Sequence, residues 1–145
     1  MKTQIRATEA LTTRYFDLFV NRLAYTVQSL RPDPQSGRHY YYRPRKGIDN
    51  KPVPLTWEIL RGHLEGALTV GLYAINPVTQ LSKWVAIDAD YPEALNDLLK
   101  LQWELKRDGV EAGLEKSRRG GHLWIFGEKP LSSAKTWRPN RTGEN

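Results

Sequence analysis

The chain has 145 residues, a formal net charge of +6 from 22 Lys+Arg against 16 Asp+Glu, and no cysteine. That length predicts one core, the composition excludes wholesale disorder, and the absence of Cys removes disulfides, thiolate zinc sites and cysteine nucleophiles together. No apolar run approaches the ~20 residues of a membrane span and no signal-peptide core follows Met1, so a cytoplasmic, membrane-free protein is the expectation.

The charge is unevenly spread. From Val85 to Glu115 eight acids face three bases, a net of −5, which leaves +11 for the rest of the chain. A basic body around an acidic island suits a protein that holds a polyanion while presenting carboxylates to it through a cation. A basic protein with one acidic helix gives the same sums.

In chain order, Leu11, Tyr15, Leu18, Phe19 and Leu23 recur at helical spacing, predicting a helix from about Glu9 whose far end, Ala24 to Val27, could instead open a strand. Arg31 to Gly37, with two prolines and a glycine, predicts a turn-rich loop, followed by a short aromatic strand at His39 to Tyr42 and a basic loop at Arg43 to Gly47. Thr56 is a predicted N-cap for a helix carrying Trp57, Ile59, Leu60 and Leu64 and ended by Gly66, and Leu68 to Ile75 is a predicted strand. Strand, helix, strand and strand are then expected at Lys83–Asp88, Pro92 to Lys106 or Arg107, Val110–Lys116 and His122–Phe126. Pro92 suits a first helical turn, Lys106 and Arg107 suit the last, and Gly109 provides a left-handed stop. From Leu131 the apolar pattern stops. The implied organisation is an N-terminal α/β part (1–80), a β-α-β-β core (81–131) and a polar, basic tail (132–145).

Two constellations bear chemistry. Strand alternation places Asp88 and Asp90 on one face, with Cα atoms roughly 6.5–7 Å apart. Carboxylates so placed repel unless a cation lies between them, and a hard divalent cation takes such oxygen ligands. The alternative is that Asp90 caps the next helix and Asp88 is simply exposed. The second constellation runs from Leu114 to Phe126, where a strand enters the tight turn Ser117-Arg118-Arg119-Gly120-Gly121 and His122 begins the next strand. Its hydroxyl, arginines and imidazole suit phosphate oxygens, and its glycines would let a ligand approach the backbone. An ordinary basic hairpin with a hydrogen-bonded His122 is the plainer reading. His63 is expected to satisfy a local hydrogen bond, and Trp57, Trp84, Trp103 and Trp124 to pack in the core.

Together these motifs resemble the archaeo-eukaryotic primase superfamily of primase-polymerases. Asp88-Ala89-Asp90 is similar to its first, Asp-x-Asp motif, and Ser117 to His122 to its second. The likeness to the primase-like domain of TOTE conflict systems, and to mobile-element and CRISPR-associated primase-polymerases, extends upstream through Pro54-Leu55-Thr56, His63-Leu64-Glu65-Gly66 and Gly71-Leu72-Tyr73. The resemblance implies an α/β (α+β) fold with an RRM-like catalytic module, and a nucleotidyltransferase that makes primers or polymerises DNA. It implies Asp88 and Asp90 as ligands of Mg²⁺ or Mn²⁺, His122 on the nucleotide triphosphate and Ser117 with Arg118 lining its pocket. The implied partners are nucleoside triphosphates and a DNA or RNA template, whose phosphates Arg43, Arg45 and Lys46 could track by charge.

The superfamily's third carboxylate motif has no counterpart, since no Asp follows Asp108. The expectation is therefore a module incomplete at its C-terminus, weak alone, and completed by a missing portion or served by an associated helicase or nuclease. A catalytically silent module binding single strands through its basic surface and Tyr40, Tyr41 and Tyr42 is the alternative.

Overall fold

The computed structural model describes residues 6–132, which divide at Asn76 into two compact units. The mixture of helices and antiparallel sheets is the α+β class expected.

In the first unit, α1 (Glu9–Phe19) starts where the Thr8 hydroxyl accepts the Leu11 N–H at 3.1 Å. It stops at the extended Val20, and the chain enters β1 (Tyr25–Gln28), so the strand alternative is the one realised. β1 lies between β2 (Tyr41–Tyr42) and, further along, β5 (Val70–Leu72), antiparallel to both. The expected basic loop contains β3 (Arg45–Lys46), which pairs with β4 (Lys51–Pro52) around positive-φ Gly47 and Asn50. Basic side chains gave no strand signal, and the turn residues make this hairpin. α2 (Trp57–Leu64) is capped by Thr56 and followed by left-handed Gly66. Val20, Tyr25, Leu55, Leu60 and Val70 are the buried core, joined by half-buried Tyr15, Phe16 and Ile59.

His63 joins three elements of this unit. Its Nδ1 accepts the Val70 N–H at 3.3 Å, so in the neutral ring Nε2 donates to the Tyr15 hydroxyl at 3.2 Å. Burial holds its pKa below the ordinary 6.5. As pH falls, the unfolded chain takes up a proton here before the folded one does. Stability from the neutral ring is therefore complete above about pH 6.5 and declines below it. Thermal melts from pH 7.5 to 5 are expected to show a falling midpoint, with a flatter dependence in His63→Gln.

The second unit builds β6 (Leu81–Ala89), α3 (Ala94–Arg107), β7 (Ala112–Lys116) and β8 (Gly121–Ser132). The sheet order is β6-β8-β7, with β8 antiparallel to both neighbours. β6 and β7 therefore run parallel with β8 between them. This is a split β-α-β followed by an inserted hairpin strand, the arrangement an RRM-like half-module requires.

α3 begins two residues later than expected. Pro92 lies in the preceding turn, and Glu93 is the N-cap with no side-chain capping bond, so Asp90 does not cap this helix. Ala94 and Leu98 are buried beneath it, and Leu123 on β8 is wholly buried. Gln102, the polar residue on the helix's apolar stripe, donates to the Ala112 carbonyl at 2.7 Å and ties α3 to the start of β7. Trp103 is 67% exposed, against the expectation of core packing, because it follows Gln102 around the helix and falls off the buried stripe. Trp57 is also exposed.

β8 continues to Ser132, well past Phe126. The added pairing reaches Leu81↔Ser132 across an irregularity between Ser82 and Trp84, where the buried Ser82 hydroxyl donates to the Trp84 carbonyl at 2.6 Å. Gly127 and Pro130 hid this extension from a pattern reading. The expected tail, apart from Ser132, lies outside the described residues. No helix among the described residues is long and apolar enough to cross a membrane.

Candidate functional site

The sheet of the second unit has one face under α3 and one face free of it. Alternation along β8 sends Leu123 to the helix side and His122 and Trp124 to the other. The register then sets three chemical side chains in one row across the sheet. Asp88 on β6 is the partner of His122 on β8, and His122 is the partner of Glu115 on β7.

The side chains meet accordingly. His122 Nε2 is 3.4 Å from Asp88 Oδ1, and Nδ1 is 3.1 Å from Glu115 Oε2. The same Glu115 oxygen accepts the Trp124 indole N–H at 2.7 Å. That bond, with the further one from His122, holds the Glu115 carboxyl below the usual carboxylate range, so it is ionised near neutrality. Trp124 in turn packs edge-on against both Trp84 and His122.

The turn between β7 and β8 supplies the adjoining groups. Ser117 closes it twice: its N–H donates to the Gly120 carbonyl at 3.0 Å, and its hydroxyl oxygen accepts the Gly120 N–H at 3.1 Å. The hydroxyl hydrogen is left to donate elsewhere. Arg119 Nη2 reaches Asp90 Oδ2 at 2.5 Å. Asp88, Asp90, Ser117, Arg118, Arg119 and His122 thus line one open concavity of about 250 Å³.

The two glycines of the turn also have a structural need. A Cβ on Gly120 would lie 1.9 Å from the Ala89 carbonyl oxygen, and one on Gly121 would lie 2.8 Å from the Glu115 carbonyl oxygen and 3.1 Å from Leu95 and Leu98. They let the turn close against β6, β7 and α3.

Of the residues singled out by sequence, Asp88, Asp90, Ser117, Arg118 and His122 come together here. Arg43, Arg45 and Lys46 belong to the first unit, exposed on and beside the β3–β4 hairpin, where Arg45 Nη1 donates to the Asn50 carbonyl at 2.8 Å. Glu115, Arg119 and Trp124 lie within the second constellation, but the contacts that join Glu115 to His122 and Trp124, and Arg119 to Asp90, were not foreseen. Their signal was present in strand alternation, since positions 115, 122 and 124 share a face once β7 and β8 are paired without slippage.

The donor set suits a hard cation in part. Both aspartates are solvent-accessible, with side chains 69% and 40% exposed, on one face of one strand end. Mg²⁺ is commonly held by one or two carboxylates, with waters and substrate phosphates completing its shell. No group of three or more His, Asp or Glu forms a ready metal cage among the described residues. The two aspartates could thus supply only part of a hard cation's shell, and Asp90 is paired with Arg119.

Compared with known families, residues 33–139, more than half of the chain, match the model of the archaeo-eukaryotic primase domain of TOTE conflict systems. No curated protein matches the chain.

Proposed function

The chain belongs to the archaeo-eukaryotic primase domain family of TOTE conflict systems, and from that premise we propose that it performs metal-dependent nucleotidyl transfer on a nucleic-acid template. The observation that carries this reading is the convergence of Asp88, Asp90, Ser117, Arg118 and His122 on one concavity at the end of β6. Carboxylates on one wall and phosphate donors on the other are what a nucleoside triphosphate bridged by a cation needs.

Asp88 and Asp90 would hold Mg²⁺ or Mn²⁺, which when bound neutralises triphosphate charge and polarises the reacting phosphoryl oxygen. The protein's own groups orient the nucleotide. The Ser117 hydroxyl hydrogen and the Arg118 and Arg119 guanidinium groups offer donors to its phosphate oxygens, and His122 Nε2 joins them when the ring carries a hydrogen on both nitrogens. Arg119 exchanges its ion pair with Asp90 for one with phosphate, so a charge is handed over rather than newly desolvated. A 3′-hydroxyl oxygen forms the new bond to the α-phosphorus as its proton is lost to solvent, and the bond to the pyrophosphate oxygen breaks. Positioning and charge neutralisation supply the catalysis, with no covalent intermediate on the protein.

A template has a natural seat on the first unit. Tyr40, Tyr41 and Tyr42 are each about half exposed, and Arg43, Arg45 and Lys46 follow them. Base stacking on such rings is worth about 1–3 kcal/mol per base, and the cations add a salt-dependent term. These exposed tyrosines also favour the second reading, a module that binds single strands without catalysis.

The test is to incubate the chain with a single-stranded DNA template, an annealed primer, nucleoside triphosphates and Mn²⁺. Extension or new synthesis supports the proposal. Retention of the strand without extension leaves the silent-binder reading, and shortening of the nucleic acid identifies a nuclease using the same carboxylates.

A further inference from the structure

Glu115 belongs to neither motif that carries the family likeness, yet it bonds two side chains on the same face of the sheet. Its Oε2 receives two N–H groups, from Trp124 Nε1 at 2.7 Å and His122 Nδ1 at 3.1 Å. An ionised carboxylate can only accept, so His122 Nδ1 carries a hydrogen in this contact. The indole holds the carboxylate from one side, and the carboxylate holds the imidazole. The opposite ring nitrogen, Nε2, is the one directed at Asp88 and the concavity.

We propose that Glu115 is a positioning residue for His122: with Trp124 it fixes the imidazole so that Nε2, and not Nδ1, faces the concavity where a triphosphate would sit. This rests on the nucleotidyl-transfer reading above for its purpose, though not for its geometry. The arrangement parallels metal-site histidines, where a carboxylate behind the ring fixes tautomer and orientation, here serving a phosphate-facing ring. Without Glu115 the ring is free to turn about its side-chain bonds and present either nitrogen. Because the Glu115 side chain is 56% exposed and lies outside the core, its loss leaves the fold standing.

The experiment is long-range ¹H–¹⁵N NMR of the imidazoles at pH 8, with His63 as internal reference. The wild type is expected to show His122 as the Nδ1–H tautomer. Glu115→Ala should shift it toward Nε2–H, and Trp124→Phe should do so in part. Glu115→Gln, which keeps an oxygen acceptor, should retain it. The signals of His63 should not move in any variant, as a general loosening of the protein would require. Binding of a nucleoside triphosphate with Mn²⁺ should weaken about tenfold in Glu115→Ala and threefold or less in Glu115→Gln. A wild-type Nε2–H tautomer, or one unmoved by Glu115→Ala, overturns the proposal. If the tautomer shifts while the wild type binds no triphosphate, Glu115 keeps its role on His122 and the nucleotidyl-transfer reading falls.

Discussion

Asp88→Ala combined with Asp90→Ala is expected to lower Mn²⁺-dependent primer extension by roughly 10²–10³-fold or more, the scale seen when a charge-stabilising group is removed from an active site. Each single substitution should account for most of that loss, because residues that act as a unit are not additive. The fold should be untouched: both side chains are exposed, and neither takes part in the buried face beneath α3. Asp90→Ala also releases Arg119, so triphosphate binding without added metal should be retained or strengthened even as extension disappears. Gel-resolved extension, with calorimetric nucleotide binding in parallel, separates the two effects. Equal product from wild type and double variant removes these carboxylates from the reaction.

Gly120→Ala is expected to destabilise the second unit by about 3 kcal/mol or more, a midpoint drop on the order of 10–20 °C for a unit of this size. The cause is steric and has no soft escape. A Cβ there meets the Ala89 carbonyl oxygen at 1.9 Å and its carbon at 2.9 Å, both of them backbone, with the Ala94 Cβ at 3.1 Å behind. Relief requires moving the turn away from β6 or shifting the start of α3. Either movement parts His122 from Asp88, so activity should fall with stability. Gly113→Ala is the control: its Cβ would meet only Trp124 atoms at 4.0 Å, an ordinary contact, and its effect should stay within about 0.5 kcal/mol. Circular-dichroism melts of the two variants decide the matter, and equal midpoints would remove the steric account.

The site was legible where chemistry and alternation coincide. Asp88 and Asp90 stand two apart on a predicted strand, and His122 opens the strand that pairs beside it, so a shared sheet brings them together. Glu115 was placed on a strand beside the turn but given no partner, because its partner depends on the β7–β8 register, which the turn at Ser117 to Gly120 sets through two hydrogen bonds. Arg119 rather than Arg118 meets Asp90 for a similar reason: in a turn, which of two neighbouring side chains points inward is decided by backbone dihedrals and not by composition. The fold was read well in α2 and α3, where Thr56 caps one start and glycines at 66 and 109 mark both stops. It was read poorly where β8 passes Gly127 and Pro130 and where Arg45 and Lys46 pair with Lys51 and Pro52. Cross-strand hydrogen bonds there form between segments whose side chains carry little β preference. Trp103 shows the complementary failure: size and apolarity argued for burial, and a single step around the helix placed it in solvent.

The row Asp88–His122–Glu115 has a consequence for fidelity of assembly. Along β8, His122 and Leu123 are neighbours on opposite faces, one meeting two carboxylates and the other wholly enclosed. A slip of β8 by one residue would exchange them, setting an imidazole beneath α3 and a leucine between two acids. Such a form would lose its core and its chemistry in the same step. A one-residue slip is therefore not a stable yet inert state, because the pairing that encloses Leu123 is the pairing that sets the acids and the imidazole in line.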